Sequence, residues 1–213
     1  MGDTARRLTG LAVVTTAALA AVLATGAGPV ERAAAPPGFG RVGPVLATAP
    51  ESSSAPLPAS PTKPSPAPRR VTVPRVGLDA PVRPVAVTAG GDLAVPADPS
   101  VAGWYHHGPA PGSAVGSAVL VGHVDGGTGG LGEFAALHHV RPGDRIEVGR
   151  AGAEPAAYRV TARTTVPHDA LPDEAFRRGG PPVLTLLTCA PPFAPGDGGY
   201  QANLIVVAEP LAT

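Results

Sequence analysis

The chain has 213 residues, of which 15% are charged, and its formal net charge is zero. Its basic residues are scattered rather than massed, so they offer no surface that could neutralise nucleic-acid phosphates, and we expect no nucleic-acid partner. The chain has 28 glycines and 28 prolines, and many of the prolines fall between Ala35 and Pro84. This excess indicates a linker attached to one folded domain rather than two domains.

The N-terminal residues 1–32 have the pattern of a membrane anchor. Arg6 and Arg7 precede an uncharged stretch of 23 residues from Leu8 to Val30, and a helix needs about 20 apolar residues to cross a bilayer. The positive-inside bias keeps both arginines cytoplasmic and exports the rest of the chain. We therefore predict a single-pass protein of the cell membrane with an extracytoplasmic domain. A signal segment cleaved near Ala24 to Gly28 is the alternative.

Residues 33–70 are predicted to form a disordered linker. They consist largely of Pro, Ala and Ser, with five prolines between Pro58 and Pro68. Such a segment buries too little apolar surface to offset its ordering entropy, and its prolines favour an extended form. It is typical of a spacer that holds a domain away from the membrane.

Short β-branched or alternating runs begin at Val71 and are separated by Gly and Pro. The runs are Val71 to Val73, Val82 to Val87, Ala118 to Val124, Arg145 to Val148, Tyr158 to Thr164, Val183 to Thr188 and Leu204 to Val207. Seven or eight short strands with turn signals between them predict a sandwich or a barrel.

A single segment of this region, Leu131 to His138, has helical spacing. Its apolar residues Leu131, Phe134 and Leu137 recur at every third position, and the turn from Arg141 to Asp144 ends it. Residues 71–213 are therefore predicted to form one mostly β domain with a short connecting helix.

Cys189 is the only cysteine of the chain and therefore cannot close an intrachain disulfide. A free cysteine is either a small buried hydrophobe or a reactive group. Cys189 ends the apolar run from Val183 to Thr188, and the stiff sequence Ala190-Pro191-Pro192 follows it. Because catalytic side chains are often displayed where a rigid element ends, this position favours a nucleophile.

His123 occupies an equivalent position, since it follows the apolar run from Ala118 to Gly122 and precedes a Gly-rich turn. It is the candidate for proton transfer with Cys189. We interpret the other histidines as structural or surface residues; they are His106, His107, His138, His139 and His168. The paired histidines have no Cys or carboxylate set at ligand spacing, so we expect no metal.

Five short motifs follow one another along the domain. They are Trp104-Tyr105, Pro109-Ala110-Pro111-Gly112, Val119 to Asp125, Pro142-Gly143-Asp144 and Thr185-Leu186-Leu187-Thr188-Cys189. In this order the motifs resemble the sortase family, and the likeness extends from Val71 to Ala208. The combination of Trp, Pro-Gly and Gly-His-Val-Asp is most similar to class E and class F sortases of high-GC Gram-positive bacteria.

The resemblance implies an eight-stranded sortase-like β-barrel with one or two short helices. It also implies a cysteine transpeptidase without a cofactor. The Cys189 thiolate would attack the carbonyl of a C-terminal sorting signal and form a thioester, and His123 would transfer the protons. The implied partners are surface proteins that carry sorting signals and an amine of peptidoglycan or of another protein, which together give cell-wall anchoring.

One departure from the family concerns the arginine that sortases carry on the strand after the cysteine. No Arg, Lys or His follows Arg178 in this chain. Gln201 and Asn203 are the nearest polar residues of the last strand and are the candidate replacements. Arg159 and Arg163 lie on a predicted strand with the same facing and could supply the charge from elsewhere, but we interpret them as ordinary surface arginines.

Asp125 follows His123 by two residues and has two interpretations. It could orient the imidazole as the third member of a triad-like set. An aspartate before Gly126 is equally typical of a turn.

Three functions remain open from the sequence. The first is an active transpeptidase. The second is a degenerate sortase-fold module that binds sorting signals or a partner without efficient turnover, which the missing arginine favours. The third is an unrelated exported cysteine hydrolase or an L,D-transpeptidase, and the absence of a Ser-His-Gly-Cys run argues against the latter.

Overall fold

The computed structural model describes residues 34–41, 65–126 and 129–212, which belong to one compact unit, Ala33–Thr213. The predicted anchor over residues 1–32 and much of the predicted linker lie outside the described residues. Among the residues that are described, no helix is long and apolar enough to cross a membrane.

Eight strands close into a barrel in the order β1-β2-β3-β4-β7-β8-β6-β5. The strands are β1 (Pro68–Val73), β2 (Leu78–Val85), β3 (Ala102–Tyr105), β4 (Ser117–Val121), β5 (Arg145–Arg150), β6 (Ala153–Pro167), β7 (Val183–Ala194) and β8 (Gly199–Pro210). Most neighbours are antiparallel, but β2 pairs parallel with β3 and β4 pairs parallel with β7. The predicted mostly β, eight-stranded barrel is confirmed.

The helical segments of the described chain are short 3₁₀ helices. They span Pro74–Val76, Glu133–His139, Asp173–Phe176 and Pro195–Asp197. The segment Glu133–His139 corresponds to the predicted helix, and it buries Phe134 and Leu137. The third apolar position of the prediction, Leu131, precedes the helix and is 83% exposed, so the predicted start of the helix and the burial of Leu131 are corrected.

The apolar side chains form two clusters. The larger cluster fills the barrel and includes Leu120, Leu186 and Leu204, whereas the smaller cluster consists of Val119, Val121, Leu187 and Ile205. Because alternate residues of a strand face opposite sides, the smaller cluster lies on the outer face of β4, β7 and β8. Strands buried on both faces read as continuous apolar runs, which explains the sequence of β4 and of the first half of β7.

Residues 34–41, within the predicted linker, lie against the barrel. The backbones of Phe39 and Arg163 exchange two hydrogen bonds of 2.7 and 2.8 Å, and the Arg163 guanidinium lies 5.1 Å from the centre of the Phe39 ring. Arg163 also donates to the Pro37 carbonyl at 2.8 Å. Arg163 is only 7% exposed, so its interpretation as a surface arginine is corrected: it is the buried residue to which this segment docks.

Candidate active site

The parallel pairing of β4 and β7 brings the chain segments that lead to the two predicted catalytic residues to the same end of the barrel. Val119 pairs with Thr185 and Val121 pairs with Leu187, and Gly122 donates its N–H to the Leu187 carbonyl at 3.1 Å. His123 and Cys189 each lie two residues beyond the last pair, Val121 and Leu187. Cys189 shares the outer face of β7 with Leu187, because alternate residues of a strand point to the same side.

Gly122 and Gly132 allow the chain around His123 to pack closely. A Cβ atom on Gly122 would lie 2.5 Å from the Phe134 ring, and one on Gly132 would lie 2.3 Å from the His123 carbonyl. Phe134 donates its N–H to that carbonyl at 3.1 Å. The glycine before His123 therefore lets the 3₁₀ helix contact the strand end and hold the His123 backbone.

The His123 ring is oriented by a backbone carbonyl. Its Nε2 lies 2.8 Å from the Pro96 oxygen. A carbonyl only accepts hydrogen bonds, so Nε2 carries the proton and Nδ1 is the basic nitrogen of the neutral ring. Pro96 was not predicted as a site residue, and no side-chain pattern could have revealed it, because the contact is made by the backbone of a loop.

The Cys189 side chain is partly exposed, and its surroundings disfavour the thiolate. Burial raises the pKa of the thiol above its ordinary value, and the negative charge of Asp125 raises it further. The thiol is therefore protonated at neutral pH in the free protein. Formation of the nucleophile requires a base or a nearby positive charge.

Asp125 makes its side-chain contact with Tyr200 instead of with the imidazole. The Tyr200 hydroxyl donates to Asp125 Oδ2 at 2.8 Å. Burial, this hydrogen bond and the carboxylate charge raise the pKa of Tyr200 to about 12. One sequence-based hypothesis for Asp125 was that it orients the His123 imidazole. In the structure Pro96 orients that ring, and Asp125 forms a polar pair with Tyr200.

The two candidate replacements for the family arginine differ in position. Asn203 pairs directly with Cys189 across β7 and β8, and its Nδ2 donates to the His168 carbonyl at 2.9 Å. Gln201 donates from Nε2 to the carbonyls of Asp197 and Gly199 at 3.0 and 2.8 Å. Gln201 therefore holds the turn before β8, and Asn203 is the polar residue that faces the cysteine.

The arginines of β6 do not take the missing position. Asn203 pairs with Val166 on β6, while Arg159 pairs with Glu209, six residues further along β8. The Arg163 guanidinium donates to backbone carbonyls, including that of His138 at 2.7 Å. Burial lowers the pKa of Arg163.

The His138 side chain contacts the backbone of Cys189. This contact was not predicted from the sequence, which indicated only a structural or surface role for His138. Its Nε2 lies 3.1 Å from the Cys189 carbonyl oxygen. Burial lowers the pKa of His138 and outweighs the opposing effect of this hydrogen bond, so the ring is neutral at pH 7. His138 lies at the end of the 3₁₀ helix Glu133–His139, and only the helical spacing of that segment hinted that its residues approach the core.

Residues 34–41, 65–126 and 129–212 contain no group of three or more His, Cys, Asp and Glu side chains that could hold a metal ion.

Comparisons with solved structures agree with this barrel. Sortase C2 of Group B Streptococcus pilus island 1 is 25% identical, with 67% of this chain and 73% of that chain covered and a TM-score of 0.51. Sortase C1 of Streptococcus agalactiae is 26% identical, with 68% and 66% covered and a TM-score of 0.52. Sortase C-1 of Actinomyces oris is 22% identical, with 68% of this chain and 73% of that chain covered and a TM-score of 0.51. At this identity the likeness is evidence for the fold only.

These structures are class C sortases, so they do not support the resemblance to classes E and F in particular. No curated protein matches the chain. The family model described as the sortase domain matches residues 71–211, which include β2 to β8 and both Cys189 and His123. The chain therefore belongs to the sortase family.

Proposed function

We propose that this protein is a cysteine transpeptidase that cleaves a C-terminal sorting signal and transfers the acyl group to an amine. The observation that carries the proposal is the parallel register of β4 and β7, whose last pair is Val121 and Leu187, two residues before His123 and Cys189 respectively. A nucleophile and a base near each other form the minimal arrangement for acyl transfer through a covalent intermediate.

The reaction has two halves. In the first, neutral His123 accepts the thiol proton as Cys189 Sγ attacks the scissile carbonyl and the S–C bond forms, and the resulting imidazolium protonates the leaving amine as the C–N bond breaks. In the second, neutral His123 accepts a proton from the incoming amine as that amine attacks the thioester, and the S–C bond breaks as the proton passes to Cys189 Sγ. Because Pro96 holds Nε2–H, Nδ1 is the nitrogen that exchanges these protons.

Charge around the thiol limits the first half-reaction. Burial and Asp125 raise the pKa of Cys189, and the strand after the cysteine supplies no cation because no Arg, Lys or His follows Arg178. A neutral amide at Asn203 can donate a hydrogen bond to a developing oxyanion but cannot neutralise it. Losing one oxyanion donor costs about 10²–10³ in rate, so we expect slow turnover.

The same observations favour a second candidate function. A degenerate sortase-fold module would bind sorting signals or a partner protein without efficient turnover. The raised pKa of Cys189 and the neutral residue Asn203 opposite the nucleophile are the features that support it. This candidate keeps the same binding surface and differs only in whether a thioester forms.

The remaining proposals concern location and class. An N-terminal membrane anchor over residues 1–32 would place the domain outside the cell, where sorting-signal proteins and amine acceptors meet it. The Gly-His-Val-Asp sequence from Gly122 to Asp125 supports class E or F. Comparing acylation by peptides of different sorting motifs tests the class.

The deciding experiment uses the full-length chain, sorting-signal peptides such as Leu-Pro-x-Thr-Gly variants, and an amine acceptor. Intact-protein mass spectrometry should detect an acyl adduct on Cys189 that the amine discharges. Cys189→Ala should abolish the adduct, and His123→Ala should slow its discharge, whereas the exposed His139→Ala should behave as the parent. Peptide binding without an adduct for every motif would overturn transpeptidation and favour the degenerate module.

A further inference from the structure

At Cys189, β7 is still paired with β8 but no longer with β4. In β7, the Leu187 carbonyl points toward β4 and accepts the Gly122 N–H. Backbone groups two residues apart point to the same side of a strand, so the Cys189 carbonyl also points toward β4. However, β4 ends at Val121.

Beyond β4 the chain turns toward the 3₁₀ helix Glu133–His139. The carbonyls of His123 and Val124 accept N–H groups of Phe134 and Gly132, both at 3.1 Å. A partly buried carbonyl beside which the neighbouring strand has ended needs another hydrogen-bond donor in place of the missing ladder partner.

The His138 side chain provides that donor. Its Nε2 lies 3.1 Å from the Cys189 oxygen, so the imidazole takes the place of the ladder N–H that β4 no longer supplies. Burial lowers the pKa of His138, which keeps the ring neutral at pH 7. In the neutral ring, the carbonyl acceptor selects the tautomer with the proton on Nε2.

Arg163 fixes the backbone of His138 from the other side. Its Nη1 donates to the carbonyls of His138 and Val140 at 2.7 and 2.9 Å, and its Nη2 donates to Pro37 at 2.8 Å. His138 is therefore held between a buried guanidinium and the strand that carries the nucleophile. Residues 34–41 complete this arrangement through the Phe39–Arg163 backbone pair.

We propose that His138 is a positioning residue for Cys189: by binding the Cys189 carbonyl, it fixes the peptide plane and thereby the direction of Sγ. This inference rests on the proposed transpeptidase function. It assigns to His138 a role distinct from proton transfer, because its contact is with the backbone rather than with the thiol or a substrate. A small misplacement of a reacting atom costs up to about a hundredfold in rate.

The test compares three substitutions in the full-length chain. His138→Gln keeps an N–H donor near the place of Nε2, and His138→Leu keeps the bulk without a donor. His139→Leu is the matched control, because this neighbouring side chain is exposed. Steady-state kcat and KM of acyl transfer, the rate of Cys189 alkylation by iodoacetamide and the thermal midpoint are measured for each.

We expect His138→Leu to lower kcat by about ten- to a hundredfold with KM nearly unchanged. We expect His138→Gln to recover kcat to within about threefold of the parent, and His139→Leu to match it. Equal losses in the Gln and Leu variants would overturn the proposal. So would a lower thermal midpoint with unchanged kcat.

The two proposals can fail separately. If the parent forms no acyl adduct, the transpeptidase function is wrong, and the alkylation rate then tests His138 alone. The alkylation rate is measured at a pH above the pKa of the thiol, where Cys189 is ionised in all variants. Differences in this rate then report the orientation and accessibility of Sγ. A change in His138→Leu that His138→Gln reverses supports positioning, and equal rates in parent and both variants overturn it.

Discussion

Cys189 and Asn203 are direct partners across β7 and β8. The Leu187 carbonyl accepts a hydrogen bond from the β4 side. The backbone N–H and C=O of Cys189, two residues further on, point to the same side. Cys189 and Asn203 therefore form a non-hydrogen-bonded pair of the β7–β8 ladder. Such pairs have Cα atoms about 4.5 Å apart and side chains that approach closely. The side chain of Asn203 is therefore adjacent to that of Cys189 on the outer face.

Asn203→Arg should raise the rate of acyl transfer. A guanidinium at this position would stabilise both the thiolate and the oxyanion with charge-assisted hydrogen bonds. We expect kcat/KM for peptide acylation to rise by about tenfold or more. Gln201→Arg is the matched control, because Gln201 is bound to the turn carbonyls of Asp197 and Gly199 and is not paired with Cys189. Equal gains from both arginines, or none from Asn203→Arg, would contradict this assignment.

Asp125→Asn should lower the pKa of the Cys189 thiol. The carboxylate raises this pKa after burial does, so its removal leaves more thiolate at a given pH. The pH dependence of alkylation by iodoacetamide measures the shift, and the midpoint should move to lower pH. Tyr200→Phe removes the hydrogen bond to Asp125 but keeps the charge, so it should not lower the midpoint. A fall in both variants would show that the polar contact matters rather than the charge.

The barrel could largely be predicted from the sequence because its strands carry their own signal. β4 and β7 appear as apolar runs since both of their faces are buried. β3 was not predicted. It has only four residues, Ala102–Tyr105, and includes Gly103, where a Cβ atom would lie 2.9 Å from the Val85 side chain. Close packing against β2 selects that glycine, and this cause is invisible in a local pattern.

The candidate site was predicted only in part, for a related reason. Cys189 and His123 follow apolar runs, which local sequence shows, and their spacing equals the β4–β7 register offset, as in the pair Ser117 and Val183. The expected strand end at Cys189 was wrong, because β7 continues to Ala194 through its pairing with β8. The contacts of Pro96 and His138 join side chains to backbone carbonyls distant in the chain. No composition or spacing rule encodes such contacts, so they emerged only from the fold.

Asp144→Asn should destabilise the fold at neutral pH and not at acid pH. Asp144 is 8% exposed. Burial acts to raise its pKa, but hydrogen bonds from the Arg75 side chain and the Arg141 backbone lower the pKa overall. Because the folded-state pKa lies below the unfolded value of about 3.9, the carboxylate stabilises the fold above that value, and the stabilisation is lost as pH falls through the folded pKa.

Urea unfolding of the full-length chain at pH 7 and near pH 3 measures this effect. We expect Asp144→Asn to lower the free energy of unfolding by about 1–3 kcal/mol at pH 7, with a smaller difference at the lower pH. Glu147→Gln is the matched control, because its pair with Arg145 has side chains 55% and 41% exposed. That pair should contribute less than about 1 kcal/mol. A pH-independent loss in Asp144→Asn would contradict the linkage.

Phe39→Ala should weaken the docking of residues 34–41 on the barrel. Phe39 packs against the core and lies under the Arg163 guanidinium at 5.1 Å. Truncating it removes apolar contact and the cation–π interaction, so we expect a loss of about 1–3 kcal/mol in the free energy of unfolding. Arg41→Ala, at an exposed residue of the same segment, is the control and should change it by less than about 0.5 kcal/mol.

The same substitution should also affect acyl transfer, because Arg163 binds both this segment and the His138 carbonyl. If the docked segment supports Arg163, Phe39→Ala lowers kcat in the same direction as His138→Leu, and hydrogen exchange of the amides around Arg163 becomes faster. Unchanged exchange there, with stability equal to that of Arg41→Ala, would show that residues 34–41 contribute nothing to the barrel. Faster exchange with unchanged kcat would separate the docking of this segment from the geometry of the nucleophile.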